Sequence, residues 1–91
     1  MNVVWDPAKA LANHKKHGVD FADAAVALED ENALTIHDPD HGEYRFKTLA
    51  ISPAAMVLLI VHAEQDESTI RIISARRATK PEQRQYYEGG V

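Results

Sequence analysis

The sequence predicts an α+β fold: two layers, an antiparallel β-sheet with flanking helices, in the order β-α-α-β-β-β-β-α. Three observations carry this expectation. Two helix-patterned stretches, each opened by an aspartate, stand together near the N-terminus at Asp6 and Asp20. They are followed by runs rich in β-branched and aromatic residues, divided by short polar or proline-containing breaks, which is the pattern of a meander. A last helix start, Thr79-Lys80-Pro81-Glu82, follows the final run.

In order, Asn2 to Trp5 is a short apolar strand. Asp6 is an N-cap, and Pro7 takes the first helical position, where a missing N–H is no loss. This helix runs to about Lys16, with Ala8, Leu11 and Ala12 as its buried stripe and Gly18 as a left-handed terminator. The second helix opens at Asp20, which imitates a capping box with Asp23. It puts Phe21, Ala24, Ala25 and Leu28 on one face. Glu29, Asp30 and Glu31 end it against the helix dipole. A short strand from Ala33 to His37 and a loop from Asp38 to Gly42 lead into three longer strands. These are Glu43 to Ser52, Met56 to Glu64 and Thr69 to Ala75, with loops Ser52–Ala55 and Gln65–Ser68 between them. Thr79 and Glu82 form a capping box for the last helix, which Gly89-Gly90 ends.

Residues 1–91 read as one domain whose 45% apolar content can support a modest core. The absence of cysteine fits a reducing, cytoplasmic setting. No apolar run reaches the length of a membrane span, and no signal peptide is visible. The net charge of −4 argues against an indiscriminate nucleic-acid binder. The charge is divided, however: Asp20 to Glu43 holds eight acids and no Lys or Arg, whereas Arg71 to Arg84 holds five bases and one acid. Such a split suits one face for an anion and another for a basic partner. It equally suits two ordinary solvated faces.

If both hairpin loops have four residues, Arg45 falls opposite His62, and His62 opposite Arg71. Two arginines flanking a histidine would make an anion site with a proton carrier at its centre. His62 is also in phase with Leu58 and Ile60, which suits a core histidine. Arg45 and Lys47 alternate with Tyr44 and Phe46 as on any half-solvated strand. Arg71 is harder to dismiss, because isoleucines flank it on both sides. No metal is expected: His14 with His17, and His37 with His41, each lack an obvious third ligand. No serine sits in a nucleophile elbow, and no glycine-rich loop offers to hold a nucleotide, so no cofactor is expected.

The residues also carry a family resemblance along almost the whole chain. They include Trp5-Asp6-Pro7 with Lys9-Ala10, Asn13, Lys16-His17-Gly18-Val19, Phe21 with Ala24-Ala25, and Asp38. They continue with Gly42-Glu43, Arg45, a strand ending in His62, and Arg71-Ile72-Ile73-Ser74-Ala75-Arg76. Ala78-Thr79, Glu82, Arg84 and Tyr87-Glu88 complete the set. In these the chain resembles the BrnT toxins of bacterial type II toxin–antitoxin modules. The resemblance implies a RelE-like fold and a ribonuclease that blocks translation. It implies a BrnA-like ribbon-helix-helix antitoxin as partner in a hetero-oligomer, with DNA reached only through that antitoxin. This chain differs from RelE-type toxins, which are usually basic, in its acidic balance.

Metal-free RNA cleavage uses the substrate's own 2′-OH as nucleophile, so the protein must hold phosphate and move two protons. On this reading Arg45, Arg71 and Arg76 are the phosphate clamp and His62 the proton carrier, with Lys16, His17 and Tyr87 in reserve. The alternatives are a catalytically inactive, toxin-like binding module that acts only with its antitoxin, and a small metal-dependent hydrolase using His14, His17 and His41.

Overall fold

The computed structural model describes residues 1–39 and 44–89, so most of the expected Asp38–Gly42 loop lies outside the described residues. The elements follow the expected order: β1 (Asn2–Val4), α1 (Pro7–His17), α2 (Phe21–Ala27), β2 (Leu34–Asp38), β3 (Arg45–Ile51), β4 (Val57–Asp66), β5 (Thr69–Arg77) and α3 (Lys80–Tyr87). The five-stranded sheet has the order β1-β5-β4-β3-β2. β2 to β5 form the antiparallel meander. β1 joins the outer edge of β5 in parallel, Val3 beside Ile70, which makes the sheet mixed.

Side chains alternate across a strand, so the two sheet faces carry different sets. α1 and α2 cover one face. There Val19, Phe21, Ala24 and Ala27 meet Ala50, Leu58, Ile60, Ile72 and Ala75, and Trp5 packs edge-to-face on Phe21 at 6.1 Å. α3 lies on the opposite face, where Tyr86 and Ala78 pack with Leu49 and Val57. The helices therefore flank the sheet on both sides, where the meander pattern alone suggests one.

The helix starts follow local chemistry. Asp6 Oδ1 accepts from the Ala8 and Lys9 amides at 2.8 and 3.4 Å, and Gly18, at φ 70°, terminates α1. Thr79 and Glu82 make the full capping box of α3. Asp20 takes the N-cap position of α2 without a side-chain capping bond, and its carboxylate instead lies 3.5 Å from His14. The helix stops at Ala27, so Glu29, Asp30 and Glu31 follow its C-cap, Leu28, and do not belong to the helix itself. Asp30 is put to use there. It accepts from the Ile51 amide at 2.9 Å and from the Tyr86 hydroxyl, tying the α2 exit to β3 and α3. Burial works to raise its pKa, but the hydrogen bonds from Tyr86, Ile51 and Asn32 win and hold it below the usual carboxylate range. Burial and the Asp30 bond together push the Tyr86 phenol up to about 12.

The expected stripe of α1 is overturned. Ala8, Leu11 and Ala12 are exposed, and the inward face is Ala10, Asn13 and His17. The reason lies at the sheet edge. β1 is three residues long and pairs β5 only as far as Arg71, leaving the outer backbone of β5 bare beyond it. Asn13 takes over there as a substitute peptide group. Its amide donates to Ala75 O at 2.8 Å and accepts from Ala75 N at 3.1 Å, and it also donates to Val19 O at 3.1 Å.

Candidate functional site

The face of the sheet that carries α3 is built in three rows. The first is Leu34–Leu49–Leu59–Arg76, beneath α3. The second is Ile36–Lys47–Val61–Ser74, and the third is Asp38–Arg45–Ala63–Arg71. Polarity rises along these rows away from α3, and the third ends with two arginines that flank a single small residue.

Arg45 and Arg71 thus share a row, but about Ala63. The expected row through His62 is corrected by one residue on both sides. In the first hairpin the loop is longer than four residues: Ile51 pairs Val57, Ser52 N donates to Met56 O at 2.8 Å, and Ala55 takes a left-handed φ of 61°. Alanine pays a steric penalty in that region, so its sequence carries no turn signal. On the other side Asp66 pairs Thr69, so the loop is only Glu67-Ser68 in place of the expected Gln65–Ser68. The pairing is then interrupted twice: Gln65 is an extra residue of β4 between the Asp66–Thr69 and Glu64–Ile70 pairs, and Ile73 is an extra residue of β5 between His62–Ile72 and Val61–Ser74. Counted from the hairpin without the Gln65 bulge, Arg71 would stand opposite Glu64. The bulge brings it to Ala63 and turns it to the same face as Arg45.

His62 lies on the other face, in the core. It is 5% exposed, its ring stacks on Phe46 with centroids 5.7 Å apart, and Nε2 is 2.7 Å from Thr48 Oγ1. Nδ1 is buried with no hydrogen-bond partner among the described residues. Burial pushes its pKa down to about 4, so near neutral pH the ring is uncharged. The unfolded chain takes up a proton near pH 6.5, whereas the folded protein resists until about 4. This contribution to stability is therefore present above pH 6.5 and lost as pH falls towards 4. The expected loss is on the order of 2 kcal/mol. Urea melts across that window should show it, and His62→Gln should flatten the slope. An equally steep wild-type and variant profile would contradict this.

The remaining predicted site residues are scattered. Arg76 is held by Glu82, with Nη1–Oε1 at 2.8 Å and Nη2–Oε2 at 3.1 Å. Its hydrogen bonds bring the Glu82 carboxyl down to about 2. Lys16 and His17 stand at the far end of α1. That helix starts just past Val4, the partner of Arg71, and has already reached Ala75 by Asn13, so both residues point the chain away from the arginine row. Tyr87 is 66% exposed at the opposite end of the sheet, beside Leu34 and Ile51 in an open hollow of about 530 Å³. Two residues that the sequence reading left aside belong to the polar rows. Lys47 stands two positions from Arg45, hence on its face, and Asp38, 5% exposed, lies across from Arg45 with Lys47 Nζ 4.0 Å from its carboxylate. The spacing of Lys47 was a usable signal. Asp38 read as loop because Pro39 follows it. Among the described residues no three His, Asp or Glu side chains converge as a metal site, and His41 lies outside them. No helix among the described residues is long and apolar enough to cross a membrane.

Residues 5–82 match the family described as the ribonuclease toxin, BrnT, of type II toxin–antitoxin systems. The crystal structure of the Brucella abortus ribonuclease toxin, BrnT, superposes with a TM-score of 0.70 at 24% identity, covering 88% of this chain and 99% of that one. No curated protein matches the chain. The sequence match over most of the chain and the shared fold lead to one conclusion: the chain belongs to the BrnT family of ribonuclease toxins of type II toxin–antitoxin systems.

Proposed function

We propose that this chain is an endoribonuclease that cleaves RNA without a metal, blocks translation, and is neutralised by a BrnA-like ribbon-helix-helix antitoxin. The observation that carries the reading is the Arg45–Ala63–Arg71 row. Two guanidinium forks on either side of one small residue offer a phosphate a two-sided seat. Charge that builds on the phosphorane oxygens as the 2′-OH attacks is met by both forks. Lys47 adds a third cation on the same face. Arg76 has its fork bound to Glu82, so it serves as a frame for α3 and a weaker phosphate contact. The proton transfers fall to the titratable groups of this face, Asp38 and Lys47, in place of the core residue His62.

The experiment is to induce the chain alone and follow growth, then to incubate the purified protein with single-stranded RNA. Growth arrest and cleavage products ending in 2′,3′-cyclic phosphate are expected. Cleavage should persist in excess EDTA, and activity lost in chelator and restored by zinc would overturn the metal-free mechanism. The net charge of −4 and the engaged Arg76 favour one other reading, an inactive module that acts only in the antitoxin complex. Binding of RNA without arrest or cleavage is the result that would establish it.

A further inference from the structure

The face opposite the arginines carries a second row at the same end of the sheet. His37 on β2 pairs with Phe46 on β3, and Phe46 pairs with His62 on β4. The rings continue outward to Tyr44. Centroids lie 5.7 Å apart for Tyr44 and His37, 5.5 Å for His37 and Phe46, and 5.7 Å for Phe46 and His62. The inner end is fixed, with His62 buried and bonded to Thr48. The outer end is open: Tyr44 is 69% exposed and His37 is exposed. Tyr44 is nevertheless held in place by its backbone, because Glu64 N donates to Tyr44 O at 3.2 Å. An anchored aromatic row with a solvent-facing end is a stacking platform. Its rings offer π-faces, the surface on which a nucleobase stacks.

Its position supplies the occupant. Arg45 stands between Tyr44 and Phe46 in the chain, so one strand offers a guanidinium to one face and rings to the other. An RNA strand seated on Arg45 and Arg71 needs only to pass round this end of the sheet for a neighbouring base to reach the rings. We infer that Tyr44 and His37 form a base-stacking subsite for the RNA nucleotide next to the scissile phosphate, an inference that rests on the ribonuclease reading above. The subsite recognises the base by its face and tolerates different sequences, since every base has a π-face.

The test measures binding of a single-stranded RNA oligomer with 2′-O-methyl riboses, which cannot be cut, and of the same oligomer with abasic riboses. Wild type, Tyr44→Ala, Tyr44→Phe and His37→Ala are compared, each checked for an unchanged melting temperature. Tyr44→Ala should weaken binding of the base-bearing oligomer about 10-fold, while Tyr44→Phe keeps it. His37→Ala should weaken it in the same sense. The abasic oligomer should bind wild type about 10-fold more weakly, with no further loss in Tyr44→Ala. The slope of log affinity against log salt should not change in Tyr44→Ala, whereas Arg71→Ala should lower it by about one ion. Folded Tyr44→Ala that binds the base-bearing oligomer like wild type, or that loses as much on the abasic one, overturns the subsite alone. A wild type that neither binds nor cleaves RNA overturns the ribonuclease reading and the subsite with it.

Discussion

Arg71→Ala abolishes growth arrest and leaves the protein folded. That is the expected result, and its size follows from the part the side chain takes. A donor aimed at charge that develops only in the transition state is worth about 10²- to 10³-fold in rate. Arg71 is brought onto the Arg45 row by the irregular β4–β5 register, so its direction is set by backbone, and Ile72 beside it, in the core, keeps the strand packed after truncation. Arg71→Lys separates charge from shape. It keeps the cation but not the fork, and it should fall between wild type and alanine. Arg77→Ala is the control, since Arg77 is exposed and pairs with Leu58 at the other end of β5. It should arrest growth as wild type does. The measurement is single-turnover cleavage beside a thermal melt. A folded Arg71→Ala that cuts RNA at the wild-type rate removes the clamp.

What the sequence showed of this site depended on which forces were local. The helix caps at Asp6 and Thr79 depend on neighbours within a few residues, and they appear where the residue types put them. The order of elements was equally legible, because alternation and turn residues act over short spans. The register of β4 was not. It depended on the left-handed Ala55, which no residue type announces, and at the next hairpin on a two-residue turn with an extra residue at Gln65. The other irregularity of this strand pair, at Ile73, did leave a trace: Ile72 and Ile73 stand side by side and break the alternation of the strand, which is what an inserted residue does to a period of two. A net shift of one residue on each side of β4 moved His62 off the arginine row and into the core. The parallel pairing of β1 was likewise invisible, because nothing within three residues records the direction of a neighbour 67 positions away, as between Val3 and Ile70.

Asn13→Ala is expected to destabilise the fold by about 4 kcal/mol, since three buried backbone groups lose their partner at about 1–3 kcal/mol each and partial rehydration recovers some of it. In a chain of this size that lowers the melting temperature by roughly 20 °C. The cause is the sheet edge rather than the helix. Where β1 stops, the β5 backbone at Ala75 still needs a donor and an acceptor, and the Asn13 amide supplies both while also holding Val19 O after the Gly18 turn. An apolar pattern search passes over such a residue, because it looks for helix faces that meet side chains, and this face meets bare peptide groups. Asn13→Asp distinguishes this account from simple loss of volume. Its carboxylate would face the two carbonyl oxygens that the amide now serves. The variant should therefore be less stable than wild type at neutral pH. Its folded-state pKa should be raised, so the deficit shrinks as pH falls and the carboxyl regains a proton to donate. If Asn13→Ala melts within about 1 kcal/mol of wild type, or if the Asn13→Asp deficit does not shrink with acid, the amide is not what closes this edge.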